Sequence, residues 1–406
     1  MNILLEKNLL DEAPKIIMNR LRLFIIILIL LIYCSPLLSE PFYVYMSPLG
    51  NDMNSGVKDK PVKSLNKVHE ILMNTNPNEN VIIKIDSKNG SYVNQNVVWT
   101  YYNPDYLTIF ESNPKDKLAR FISNDNPPDK PFFVLKSHNG ESTNIIIRNL
   151  YIKNYVTPAI IFIGDRESYY GWNGYNIIEK CTFENIGNWR MPERPIFYSA
   201  LALVNSRSNL IRECKFINIS NHAMATFPQD RPVLASKNRL KKVIFDFLKK
   251  TYYKNISDFE KRVDMAKNRS NLPIVCIYIA YHSDSNIVDN CNFYDVMGDA
   301  VRIRDDSNYN TIKNNYFELV GWNSVISSYY CDTNFEKCSK NEVEKQSKGI
   351  KIISNIFCGN WLYGKPEVFS ILKPNKLPFY DANFDSTIVV LNNNKLKPYK
   401  RFFGLF

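Results

Sequence analysis

Histidine is scarce in this sequence, and paired-cysteine motifs are missing. Four histidines in 406 residues, with no Cys-x-x-Cys and no His cluster at metal-ligand spacing, argue against a zinc site. Apolar runs of membrane-spanning length are missing too. The run "LFIIILILLIY", Leu23–Tyr33, counts eleven residues, too few to cross a hydrocarbon core of roughly 30 Å as a helix.

What is present is core-forming material. The chain is 45% hydrophobic and 13% aromatic, which excludes a disordered polymer and fits two average domains or one large β or repeat domain. Arg20 and Arg22 precede the apolar run, and "CSPLLSE" follows it with Leu37 and Ser39 placed as a cleavage signal. Residues 1–39 are therefore expected to be a leader and signal peptide, with Met18 as the native start. A retained membrane anchor is the alternative, and the bulky Tyr33 before Cys34 argues against lipidation. Export to the exterior or periplasm follows, with no stable membrane span after cleavage. Outside the cytoplasm disulfides can form, and Cys331 and Cys338 in "CDTNFEKC" look like a loop bridge.

A repeat organises the rest. "NIIEKCTF" (176–183), "NLIRECKF" (209–216), "NIVDNCNF" (286–293) and "NTIKNNYF" (310–317) share Asn, any, Ile or Val, two polar, Cys or Asn, any, Phe. "IKIISNIF" (350–357) lacks the first Asn, and "IIIRNLYI" (145–152) has Leu in the sixth place. Two starts lie 24 residues apart, and the other gaps of 33, 77 and 40 imply inserted loops. Ile/Val and Phe are expected to point inward. Amides stacked in a bend can satisfy buried backbone from one copy to the next. Cys181, Cys214 and Cys291 fit the same column as small buried hydrophobes.

Short β-branched strands at this period read as a solenoid of parallel strands. On these residues, and on "FYVYMSPLGNDMNSGVKDKPVKSLNKVHEIL" (42–72), the chain resembles the secreted right-handed parallel β-helix, pectate-lyase-like superfamily over residues 42–360. The resemblance implies an all-β right-handed parallel β-helix solenoid over 40–365 with an N-terminal capping helix. It also implies action on polysaccharide, by lyase, hydrolase or epimerase chemistry or by adhesion alone. Residues 366–406 are expected to form a C-terminal cap or tail.

Charge is concentrated in one insertion. Residues 231–271 hold 12 Lys/Arg against 4 Asp/Glu, a net of +8, in a chain whose total is +11. Leu240, Val243, Ile244, Phe247 and Leu248 make an amphipathic helix, and Ser257 with Glu260 spaces a capping box before a second. This basic helical pair reads either as a clamp over an anionic polymer or as a solvated face packed by its apolar stripe. Export makes nucleic acid an unlikely partner and an anionic polysaccharide the expected one.

Candidate chemistry lies on the second strand of each coil. Alignment from the repeat Phe puts His222, Asp299 and Asn323 in one column. Alignment from the next repeat puts Tyr278 beside Arg302 and His282 beside Asp306. Asp299 and Asp305 are roughly 20 Å apart along a strand, too far for a glycosidase pair at about 5–9.5 Å, so hydrolysis ranks second. β-Elimination on a uronic acid needs a cation for the substrate carboxylate and a base for the adjacent proton. Arg302 and Arg304, on an outward face opposite Val301 and Ile303, are expected to grip the carboxylate, with His222, His282 or Tyr278 as base. Surface ion pairs from Arg302 to Asp305 or Asp306 are the plain structural alternative. Asp299, Asn323 and Trp322 are candidate substrate contacts, and Trp172 and Trp189 could stack on sugars. The resemblance makes calcium a possible cofactor, with Asp299, Asp305 and Asp306 as the nearest carboxylates.

Overall fold

The computed structural model describes residues 40–113, 115–124, 130–155, 158–187, 199–219, 275–296, 299–320, 325–328, 347–360, 370–372 and 389–397. The leader, the basic insertion at 231–271, most of 366–406, and His222, Trp189, Trp322, Asn323, Cys331 and Cys338 lie outside the described residues. Two compact units divide the chain, Met1–Phe42 and Tyr43–Phe406, and the second carries the architecture below.

The repeats fold as a parallel β-helix. Each coil contributes a strand to a ten-stranded first sheet, a nine-stranded second sheet and an eight-stranded third sheet. Strands follow one another in chain order within each sheet, and every pairing between named strands is parallel. Ile178, Ile211, Val288, Ile312 and Ile352 form one buried column of the first sheet. In the second sheet Phe183, Phe216, Phe293, Phe317 and Phe357 stack face to face, with centroids 5.1, 4.9, 4.7 and 4.9 Å apart. The repeat Phe is thus a continuous aromatic spine, buried throughout.

A single residue turns the chain from the first sheet to the second. Asn149, Lys180, Glu213, Asn290, Asn314, Ser354 and Asn393 all sit in the left-handed region, with φ between 50° and 60°. The next position is Leu150, Cys181, Cys214, Cys291, Asn315, Asn355 and Asn394 in successive coils. Where it is Asn, the side chain serves the coil behind. Asn315 Oδ1 accepts from the Cys291 amide at 2.8 Å, and Asn355 Oδ1 accepts from the Asn315 amide at 2.9 Å. Where it is Cys, Sγ lies 3.6 Å from a carbonyl of the previous coil: Ile147, Ile178 or Ile211. Burial pushes the thiols of Cys181 and Cys214 well above the usual range.

A second ladder runs through the first Asn of the repeat. Asn176, Asn209, Asn286 and Asn310 link coil to coil by amide-to-Oδ1 bonds of 2.8–3.1 Å, at sequence separations of 33, 77 and 24. The inserted loops leave the register unchanged. Ser206, Ser283, Ser307 and Ser347 form a parallel hydroxyl ladder at the same corner.

On its outward face the first sheet alternates charge from coil to coil. Lys84, Glu111, Arg148, Glu179, Arg212, Asp289 and Lys313 are successive register partners. Arg148 Nε donates to Glu111 at 2.7 Å, and Arg212 Nε donates to Glu179 at 2.7 Å. Burial raises the Glu111 pKa, but Lys84 and Arg148 outweigh it, so the carboxyl ends below its ordinary value. One helix, Leu65–Thr75, is capped by Ser64 and buries Leu65, Val68 and Leu72. It packs beside Val97–Trp99, the edge strand of the third sheet, and so covers the open first coil. At the other end Val389–Asn392 and Lys395–Lys397 continue the first and second sheets, a further copy of the repeat with Leu396 in the Phe place.

The ladder predicts its own cost of removal. Asn209 accepts from the amide and the side chain of Asn176 and donates to Ser206 Oγ and Asn286 Oδ1. Asn209→Ala is expected to lower stability by about 1–3 kcal/mol, the price of an orphaned buried amide, read as a lower denaturant midpoint. In the native protein Cys181, Cys214, Cys276 and Cys291 should resist iodoacetamide and react only on unfolding, checked by mass spectrometry of the digest.

Candidate functional site

The third sheet carries the residues singled out on Val275–Ala280 and Asp299–Arg304. Ile277, Ile279, Val301 and Ile303 point inward and are buried, as alternation requires. Tyr278 lies directly opposite Arg302 in the parallel register. The outward side is not open: Ala202, Tyr278 and Ala280 join Val275 in a buried cluster, with Ile161 and Tyr281 packed against it.

Arg302 departs from the expectation of a solvent-facing cation. It is 6% exposed, and its guanidinium closes on Asp299, which is fully buried. Nε donates to Asp299 Oδ2 at 2.9 Å, and Nη2 donates to the same oxygen. Alternation puts Arg302 on the outward face, but that face is covered. The ion pair is buried and involves Asp299, where a surface pair with Asp305 or Asp306 had been the plain alternative. Arg304, at the strand end, is half-buried.

Beyond the strands the chain turns through Tyr281 and His282, and one coil on through Asp305 and Asp306, all four at φ between 52° and 58°. Two consecutive left-handed residues fold the acidic pair round the corner. The His282 amide donates to the Asp305 carbonyl at 3.0 Å, and His282 Nδ1 stands 3.3 Å from Asp306 Oδ2. That distance is an ion-pair approach without hydrogen-bond alignment. The His282 carbonyl accepts from Arg207 Nε at 3.0 Å, and its ring meets Tyr169 edge-on at 5.2 Å. Burial raises the carboxyl pKa of neighbouring Asp284.

Tyr278 is pushed up to about 12 by burial, with Arg304 and Arg302 pulling the other way. A phenol so held is protonated at neutral pH. Asp299 is committed to Arg302, and among the described residues no three His, Cys, Asp or Glu side chains are grouped to hold a metal ion.

Reading by strand pattern picked out Trp172 but missed the tyrosines of the corner itself. Tyr169, Tyr170, Tyr175 and Tyr309 are exposed there, with Trp172 and Arg207 among them. The signal available was the density of "ESYYGWNGYN" and the Tyr immediately before the ladder residues Asn176 and Asn310.

No family model matches the chain, and no curated protein matches it. Among solved structures it is similar to an alginate lyase from Paenibacillus (8% identity, 83% of this chain and 95% of that one, TM-score 0.44). It is similar to a pectate lyase (12% identity, 89% and 80%, TM-score 0.43) and to a surface adhesin of Streptococcus pneumoniae (11% identity, 81% and 73%, TM-score 0.40). At such identities the likeness is one of fold, and no activity passes from those proteins to this chain.

Proposed function

We propose that this β-helix protein works outside the cytoplasm on an acidic, uronate-containing polysaccharide and cleaves it by β-elimination. The observation that supports the reading is the juxtaposition on two adjoining coils of a histidine packed edge-on against Tyr169, a protonated phenol and two arginines. His282 takes the proton beside the uronate carboxylate. The electron pair forms the ring double bond as the glycosidic C–O bond breaks, and Tyr278 gives its proton to the departing oxygen. Arg304 faces the substrate carboxylate. Arg302 is a positioning residue that holds the strand end through Asp299.

The burial of Arg302 favours one second reading, a non-catalytic glycan-binding protein of the same fold. Ultraviolet absorbance of the unsaturated uronate product, followed with alginate, polygalacturonate and chondroitin sulfate, separates the two. New absorbance supports elimination, binding without it supports the binding protein, and reducing ends without it mean hydrolysis.

His282→Ala is expected to lower turnover about 100-fold or more with an unchanged melting temperature. Tyr278→Phe should lower kcat more than it changes KM, and an unchanged kcat would remove the proton-donor role. Because the phenol is held to about 12, activity should show no alkaline loss at the ordinary tyrosine value near 10. Arg302→Ala removes the guanidinium from a fully buried carboxyl, and should destabilise by about 3–5 kcal/mol. A parental melting temperature for that variant would show the pair is not structural.

A further inference from the structure

The corner between the third and first sheets shows water a set of rings outside the core, of which Tyr169 touches the His282 ring. Tyr170 is 79% exposed, Tyr309 66%, Tyr175 54% and Tyr169 47%. A single exposed ring is unremarkable, but here the backbone under the rings is firmly fixed. Asn205 Nδ2 donates to the carbonyls of Asp165 at 2.6 Å and Ser168 at 2.7 Å. Arg207 donates to the Tyr169 carbonyl at 2.6 Å while its guanidinium lies 4.0 Å from the Tyr169 ring centre. The loop is pressed so close that a Cβ at Gly140 would come within 2.3 Å of the Tyr170 carbonyl oxygen.

Tyr175 and Tyr309 occupy the same place in their coils, directly before a ladder asparagine, at φ 60° and 58°. A bulky side chain is strained in that region. The same place holds Asn144, Ser208, Ser285 and Gly349 in other coils, all small or suited to the bend. Gly349 also gives the Tyr309 ring its seat, since a Cβ there would lie 2.5 Å from Cδ1. Bend geometry favours asparagine or glycine at both positions, so the tyrosines serve something other than the fold. Three coils separate them, roughly 14 Å at about 4.8 Å per coil, with only serines between.

We propose that this corner is a carbohydrate-binding surface, where Tyr170, Tyr175 and Tyr309 stack on the pyranose faces of one glycan chain laid along the coils. The apolar C–H face of a pyranose fits a flat ring, and its equatorial hydroxyls reach polar neighbours such as Asn139 and Arg166. Rings held on a fixed backbone lose little freedom on binding. The inference rests on the carbohydrate reading above but not on elimination.

The test is affinity electrophoresis and calorimetry of the full chain with alginate, polygalacturonate, chondroitin sulfate and neutral xylan. Tyr170→Ala, Tyr175→Asn and Tyr309→Asn are each expected to weaken binding roughly tenfold. The two asparagine variants should melt at or above the parental temperature, because asparagine suits the left-handed bend. Tyr43→Ala, an exposed ring on the first strand, should leave affinity unchanged. Parental affinity in the triple variant overturns the proposal, as does a parent that binds none of the four glycans, or loss of binding that tracks a fall in melting temperature. Binding lost in the triple variant of a protein that yields no unsaturated product keeps this surface and refutes elimination. Unsaturated product together with unaltered triple-variant binding refutes this surface alone.

Discussion

Everything in this protein hangs on how one coil is fastened to the next at its bends. A left-handed residue turns the strand within one step, and the side chain after it faces the coil behind. If that side chain is asparagine, its carbonyl oxygen takes a backbone N–H that no strand partner reaches, as Asn315 does for Cys291 and Asn355 for Asn315. If it is cysteine, a small apolar group fills the same space without a strong bond. Amides hold the later coils of the second-sheet bend and sulfurs the middle ones. The register fixed there brings the five Phe rings face to face and sets acid against base along the first sheet.

Fixing the register at the bends frees the loops. Coils joined through 24, 33, 40 or 77 residues stack with the same ladder bonds. Loop-closure entropy grows only slowly with length, about 0.6 kcal/mol per doubling, so a long insertion does little harm to a coil whose ends are already placed. Function can then be written into corners and insertions without disturbing the spine.

The same economy decides what the sequence shows. A bend that recurs in six copies stands out because each copy repeats the same constraint, and the spacing of "NIVDNCNF" and "NTIKNNYF" reads directly as stacked coils. The copy at 389–396 is harder to see, since Leu396 replaces the Phe and Lys395 precedes it. Neighbour relations across coils also follow from pattern, so Tyr278 against Arg302 and His282 against Asp306 were legible. Burial of the outward face was not. Alternation tells which side of a sheet a residue takes, and Arg302 does take the outward side, but period carries no information on what lies over it. The strained tyrosines escaped notice because backbone φ is invisible until the bend is built.

Three outward surfaces compete for any ligand, and their electrostatics differ. On the first sheet Lys84, Glu111, Arg148, Glu179 and Arg212 neutralise one another in series, leaving no field of one sign to attract a polyanion. On the second, Tyr151 and Lys153 are bound to Glu184, and Tyr316 to Glu318. On the third, Arg302 and the cluster around Tyr278 are buried, while Arg304 is half-buried. The corner is different in kind. Its rings stand in water on a backbone that hydrogen bonds from Asn205 and Arg207 hold in place, two of them at bends whose geometry argues against tyrosine. A polymer that follows the coils meets exposed rings there, and it arrives next to His282 and the ends of the third-sheet strands.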